Sequence, residues 1–153
     1  MMRFKTFCWR VLTAILIVVW HGGLASALAA DSCRITVVSV LAARDDTTID
    51  PKLEPEIVDL RSIFNYTSYR QLGGESLTLE TDQSGSVSLP GEHELNITLK
   101  DIHGDRARMD MRISKKNQII LQTTLQLLNR GSLFIGGPEY LNGNLIFKIS
   151  SAF

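Results

Sequence analysis

The sequence predicts a mainly β fold, an antiparallel β-sandwich or flattened barrel with one amphipathic helix near the N-terminus of the mature chain. Two observations carry this prediction. From Glu75 onward, apolar and polar residues alternate over several short segments, a period typical of half-buried antiparallel strands. The breaks between these segments, such as "DQSG", "HGD", "NRG" and "NG", contain the Gly, Asn and Asp that chain reversals need.

Each predicted strand has its own apolar face. The alternating apolar positions are Leu77 and Leu79; Val87 and Leu89; Leu95, Ile97 and Leu99; Ala107, Met109, Met111 and Ile113; Ile119, Leu121, Leu125 and Leu127; and Leu145, Phe147 and Ile149. Ahead of them, residues 34–43 ("RITVVSVLAA") are almost continuously apolar, which predicts a strand covered on both faces. Residues 136–143 ("GGPEYLNG") are expected to form the longest loop of the second half.

A single helix is expected between the first two strands. Asp50 can cap its N-terminus, and Pro51 suits the first helical position. The apolar stripe of this helix consists of Leu53, Ile57, Leu60 and Phe64. Because Pro55 would interrupt a regular helix, residues 51–54 are expected to form a preliminary turn. Asn65 is expected to end the helix in the left-handed conformation.

Residues 1–30 have the pattern of a cleaved secretory signal peptide. Basic residues begin it, residues 11–20 ("VLTAILIVVW") are apolar, and residues 25–30 ("ASALAA") supply small residues for cleavage. The apolar run is about half of the roughly 20 residues that a spanning helix needs, so an uncleaved anchor is the less favoured alternative. We therefore expect one domain, residues 31–153, in the periplasm or outside the cell, without a later membrane span.

Removal of this segment changes the charge and the cysteine count. Three of the 16 basic residues and none of the 16 acidic residues lie in it, which leaves 13 basic and 16 acidic side chains and a net charge of −3. This balance argues against a nucleic-acid partner. Cys33 becomes the only cysteine, so no intrachain disulfide is expected. The residues before Cys33 fit a lipid-modification site poorly; a free thiol, an interchain disulfide and a small strand residue stay open.

Signals for catalysis and metal binding are sparse. The mature chain has two histidines, too few for the usual zinc ligand sets, and no G-x-S-x-G motif, so we expect no metal and no cofactor. Asp101 and His103 share one face of a predicted strand, although "DIHGD" is also typical of a hairpin turn. They are the candidate site of one alternative function, a small secreted hydrolase acting on an envelope polymer. The aromatic C-terminal residue of an alternating last strand leaves a small outer-membrane β-barrel as the other alternative.

The candidate binding residues are aromatic or lie beside aromatics. Residues 64–74 ("FNYTSYRQLGG") place Tyr66, Tyr69 and Arg70 just beyond the helix stripe. The two tyrosines either pack with their hydroxyl groups at the surface or form an exposed contact pair. Tyr140, in the predicted loop 136–143, is the fourth candidate.

Three stretches together resemble a family of small exported bacterial proteins of unknown function. They are "DPKLEPEIVDLRSIFNYTSYRQLGG", "SLPG" and "LFIGGP", and the resemblance covers most of residues 35–150. It implies an exported β-rich domain led by one strand and a helix, and it implies no activity. With the lack of catalytic motifs, this leads to the hypothesis of a non-enzymatic module with a protein-interaction or assembly role in the bacterial envelope, whose partner is another envelope protein.

Overall fold

The computed structural model describes residues 31–153, and the predicted signal peptide over residues 1–30 lies outside this range. Eight strands follow one another along the described chain. They are β1 (Ser32–Ala43), β2 (Ser68–Glu80), β3 (Ser84–Leu89), β4 (His93–His103), β5 (Arg106–Lys115), β6 (Gln118–Leu128), β7 (Ser132–Tyr140) and β8 (Gly143–Ala152). A 3₁₀ turn (Pro51–Glu56) and helix α1 (Ile57–Ile63) lie between β1 and β2.

The strands form two four-stranded antiparallel sheets. Sheet A has the order β2-β1-β8-β7, and sheet B has the order β3-β4-β5-β6. In the described part of the chain, no ladder of hydrogen bonds joins β2 to β3 or β6 to β7, so the sheets do not close into a barrel. The prediction of a mainly β sandwich with one helix is therefore confirmed. Four strands, β2, β3, β6 and β7, are left as edges.

The main core lies between the two sheets. It consists mainly of the predicted alternating apolar side chains, of which Leu95, Ile97, Met109 and Phe147 are fully buried, together with residues of β1. A second, smaller core lies on the outer side of sheet A, where the helical segment covers it. β1 contributes to both cores and is buried on both faces from Ser39 to Ala43, as its continuous apolar run predicts.

The helical segment differs from the predicted helix in its two ends. Pro55 lies inside the 3₁₀ turn, and the α-helical part begins at Ile57, because proline disrupts the bonding of a regular helix. Asp50 caps the turn through its side chain, which accepts a hydrogen bond from the backbone of Lys52. The prediction for Asn65 is wrong, since it is not among the left-handed residues and the chain leaves the helix through an extended Phe64. No helix in residues 31–153 has the length and apolarity needed to cross a bilayer.

Three strand predictions also need correction. β2 runs without a break from Ser68 through the glycines at 73 and 74 to Glu80, whereas the sequence predicted alternation only from Glu75 onward. β7 extends to Tyr140, so the predicted loop 136–143 shrinks to a two-residue turn before β8. Ile119 is 53% exposed although its parity predicts a core position. The cause is a bulge at Ile120. An extra residue in a strand moves the side chains that precede it to the other face of the sheet.

Cys33 is expected to be unreactive in the folded protein. Its side chain is 0% exposed in the main core, and burial raises the pKa of its thiol, partly opposed by a hydrogen bond with the backbone of Ala152. At pH 8 we expect a thiol reagent to label native protein at least about 100-fold more slowly than protein in denaturant. The raised pKa favours the neutral thiol in the fold. The contribution of the neutral Cys33 thiol to the free energy of unfolding is therefore complete below the ordinary cysteine pKa. It is lost as the pH rises through the pKa that this thiol has in the folded protein. Equally fast labelling of both states would contradict the buried position.

Candidate functional site

Tyr69, one of the four residues predicted to contact a partner, lies in the second core. Its ring is 0% exposed and packs with Leu53 and Leu60 between the helical segment and sheet A. Its hydroxyl donates a hydrogen bond of 2.8 Å to the carbonyl oxygen of Phe64, where the helix ends. Burial raises the pKa of the Tyr69 hydroxyl. Of the two alternatives for Tyr69, the structure therefore shows the packed one, in which the buried ring holds the helix to the sheet.

Tyr66 is half-buried against the same core. Its hydroxyl donates a hydrogen bond of 3.0 Å to Oδ1 of Asn144 at the start of β8. The guanidinium carbon of Arg44 lies 5.4 Å from the centroid of the Tyr66 ring, within the range of a cation–π contact. Both contacts fix the chain between the helix and β2, so the ring has a structural role and only part of it can meet a partner.

Arg70 and Tyr140 do not share the second core with the two other tyrosines. Arg70 is exposed on β2. The pKa of Asp46 is lowered, mainly by a hydrogen bond from the backbone of Thr48, and the charge of Arg70 adds to this effect. Tyr140 packs against the main core on the other side of sheet A and lies over Gly91. The structure therefore does not bring the four predicted residues together into one site.

The alternative hydrolase site at Asp101 and His103 is an exposed hairpin. His103 pairs with Arg106 across a two-residue turn in which Gly104 has a φ of 58°. The Asp101 carboxylate is bound by the guanidinium group of Arg108. These side chains line an open depression of about 300 Å³ on the outer face of sheet B. Because arginine and not histidine engages the carboxylate, the arrangement is not that of a catalytic acid–base pair.

A cleft lies between the edges of β2 and β3, where the two sheets are not joined. We call it the β2–β3 cleft; its volume is about 310 Å³. Its lining consists of Val37, Ser39, Leu72–Glu75, Val87, Ser88 and Pro90. The two valines are buried at its floor, whereas Leu72, Glu75 and Ser88 are exposed at its rim. The cleft is therefore apolar at its base and open along two strand edges.

The cleft exists because the part of β2 that lines it has no apolar side chain on its inner face. Near the turn that joins the two strands, the side chains of Leu77 and Leu79 fill the gap and contact Gly85 of β3. Further along β2, the next two inward positions are Glu75 and Gly73. Neither residue supplies an apolar group to the interior, so the gap between the edges stays open.

Gly73 marks the empty part of the cleft. A Cβ atom built on it meets no other atom within 4 Å, and its backbone is not left-handed, so any side chain can stand there. Ser39, which pairs with Gly73 across the ladder, is 5% exposed and offers its hydroxyl to the cleft. Leu72 is the extra residue of a β-bulge at the same level. Bulges re-aim side chains and interrupt pairing, and are common beside functional sites.

This arrangement suits an extended peptide segment better than a compact ligand. The volume is at the lower limit for small-molecule pockets. Both walls are strand edges with unpaired N–H and C=O groups, which can hydrogen-bond to an added strand. Sequence analysis missed the cleft, although the interruption of the Leu77–Leu79 parity by Glu75 and Gly73 is visible in the sequence.

A scan against protein-family models and searches of curated proteins and of solved structures each found no match for this chain. The resemblance to a family of small exported bacterial proteins therefore stays a prediction. Within residues 31–153, no group of three His, Cys, Asp or Glu side chains is placed to hold a metal ion.

Proposed function

We propose that this protein is an exported, non-enzymatic β-sandwich module of the bacterial envelope that binds an extended segment of another envelope protein in the β2–β3 cleft. Export rests on the signal-peptide pattern of residues 1–30. The binding role rests on the geometry of the cleft. The observation that carries it is the open space at Gly73, in a cleft whose lining includes the buried Val37 and Val87.

The chemistry of the cleft defines the segment that it takes. A side chain of the segment enters beside Gly73 and contacts Val37 and Val87, which are both nearly fully buried. Its backbone pairs with a free strand edge, and the Ser39 hydroxyl offers one further hydrogen bond. The preferred segment is therefore extended, uncharged where it enters the cleft, and rich in β-branched residues.

Filling the cleft is expected to abolish this binding. The probe is a set of capped, uncharged peptides of about ten residues, rich in Val and Thr, whose affinity is measured by fluorescence anisotropy. We expect Gly73→Phe to weaken the binding of the selected peptides by at least about tenfold, because the new ring occupies the apolar base. Thr78→Phe is the matched control, since it adds the same ring at an exposed β2 position away from the cleft.

The location of binding is checked separately by NMR. Amide shifts on peptide addition are expected to concentrate in residues 72–75 and at Val87 and Ser88, which line the cleft. Peptides that bind the Gly73→Phe and wild-type chains equally well, or that shift signals elsewhere, would contradict the proposal. So would a peptide set with no binder at all.

A further inference from the structure

β6 is the edge strand of sheet B on the side opposite to the β2–β3 cleft. Its eleven residues, "QIILQTTLQLL", include no charged residue, no glycine and no proline. A strand edge presents unpaired N–H and C=O groups, and a long uncharged edge is prone to pair with another strand. β6 therefore has the properties of an edge that a further strand can extend.

The other edges of the described sandwich carry features that oppose such pairing. β2 has charged residues along its length and a bulge at Leu72. β3 has only six residues. β7 contains Gly136, Gly137 and Pro138 at a break in its register. Short length, charge, bulges and proline all protect edges. The one such feature in β6, the bulge at Ile120, lies at its beginning and leaves the rest regular.

The regular part of β6, "LQTTLQL", reads almost the same in both directions about Thr124. Gln122 and Gln126 lie two residues from this centre, and Leu121 and Leu127 lie three residues from it. Only the residues directly beside Thr124 differ. When two copies pair antiparallel with Thr124 opposite Thr124, each glutamine faces a glutamine and each of these leucines faces a leucine.

The burial of β6 side chains fits this pairing. Gln122, Thr124 and Gln126 are exposed on the outer face of sheet B. Leu121 and Leu125 contact the main core but stay partly exposed, because the edge beside them is open. A second copy of β6 covers these leucines, and no charge has to be desolvated.

We propose that two copies of this chain associate about a twofold axis at Thr124, by antiparallel pairing of their β6 strands into one continuous eight-stranded sheet. The Leu128 carbonyl already accepts hydrogen bonds from the N–H of Gly131 and the hydroxyl of Ser151, so the pairing ends before it. The β2–β3 cleft lies at the opposite edge of sheet B, so the dimer goes beyond the proposed function and does not rest on it.

The oligomeric state of residues 31–153 is measured by sedimentation equilibrium from about 1 µM to about 500 µM, because an interface of one strand pair is small. The wild-type chain is expected to show a reversible monomer–dimer equilibrium. In Gln122→Lys/Gln126→Lys, each lysine faces a lysine of the second copy. We expect the dimer Kd to rise by about tenfold or more, because like charges directly opposite each other destabilise a ladder.

A charge-reversed variant tests the register. It also shows whether the lysine variant dimerises weakly because of charge repulsion or because it is misfolded. An equimolar mixture of Gln122→Lys/Gln126→Lys with Gln122→Glu/Gln126→Glu is expected to form a heterodimer about as tightly as wild type, since every lysine then faces a glutamate. Positions 122 and 126 are about 13 Å apart along one strand, so the charges act mainly between copies. Ser84→Lys/Ser86→Lys places two lysines on β3, at the opposite edge and outside the lining of the β2–β3 cleft, and is expected to leave the Kd unchanged.

Three results would overturn the dimer. They are a wild-type chain that stays monomeric up to about 500 µM, larger aggregates in place of a dimer, and a lysine variant that dimerises like wild type. A lysine variant that fails to pair with the glutamate variant, although both show the wild-type circular dichroism, would contradict the register centred on Thr124.

Discussion

Tyr69→Ala is expected to lower the free energy of unfolding by about 3–5 kcal/mol. The ring is fully buried between the helical segment and sheet A, so truncation leaves a cavity in a small core. It also removes the hydroxyl that bonds to the carbonyl of Phe64. Urea denaturation followed by circular dichroism measures the change.

Two variants separate the parts of this effect. Tyr69→Phe keeps the ring and loses only the hydrogen bond, so we expect a loss of about 1–2 kcal/mol. Tyr66→Ala is the comparison on the same segment, and we expect a smaller loss than for Tyr69→Ala because Tyr66 is only half-buried. The assigned role of Tyr69 is wrong if Tyr69→Ala changes the stability by less than about 1 kcal/mol. If substitution of Tyr69 abolishes the binding of a partner, the cause is unfolding of the chain. Binding is therefore tested at Gly73.

Gly143→Ala is expected to lower the free energy of unfolding by about 3 kcal/mol. Gly143 lies where β8 begins beside β1, and a Cβ atom there would overlap the backbone carbonyl oxygen of Ala42. The added Cβ atom overlaps a backbone atom and not the end of a flexible side chain. The central strand pair of sheet A must therefore separate. Thermal and urea unfolding of the variant measure the loss.

Gly73→Ala is the matched control for this substitution. It makes the same chemical change in the neighbouring ladder of sheet A, but the added atom enters open space. We expect its stability to be unchanged or raised by about 0.4–1 kcal/mol, since alanine has less conformational freedom in the unfolded chain. Equal losses at the two glycines would show that the close approach of β8 to β1 at Gly143 does not matter.

The two proposals use opposite edges of sheet B. The cleft borders β3 and the twofold pairing uses β6, so a dimer carries two free clefts. If two binding segments are held on one assembly or surface, such a dimer binds with higher avidity than either cleft alone. This makes the combination suitable for an assembly role in which copies of a partner lie side by side.

The sequence by itself determined the class of the fold and most of the core. Alternation with a period of two assigns each residue of a strand to one of two faces, and this local rule correctly placed the apolar residues of β4, β5 and β8 that face the main core. The apolar run of β1 likewise predicted its two covered faces, because such a composition cannot have a solvated side. Proline and the apolar stripe located the helical segment.

Only the tertiary structure decided what the surface can do. A bulge at Leu72 and another at Ile120 change the face of the adjoining residues, and a bulge depends on the register between two strands and not on one segment. The burial of Tyr69 depends on the angle at which the helix crosses sheet A, which no periodicity encodes. The β2–β3 cleft depends on which strands pair. Residues far apart in the sequence, such as Ser39, Gly73 and Val87, become one cleft only when both sheets are in place.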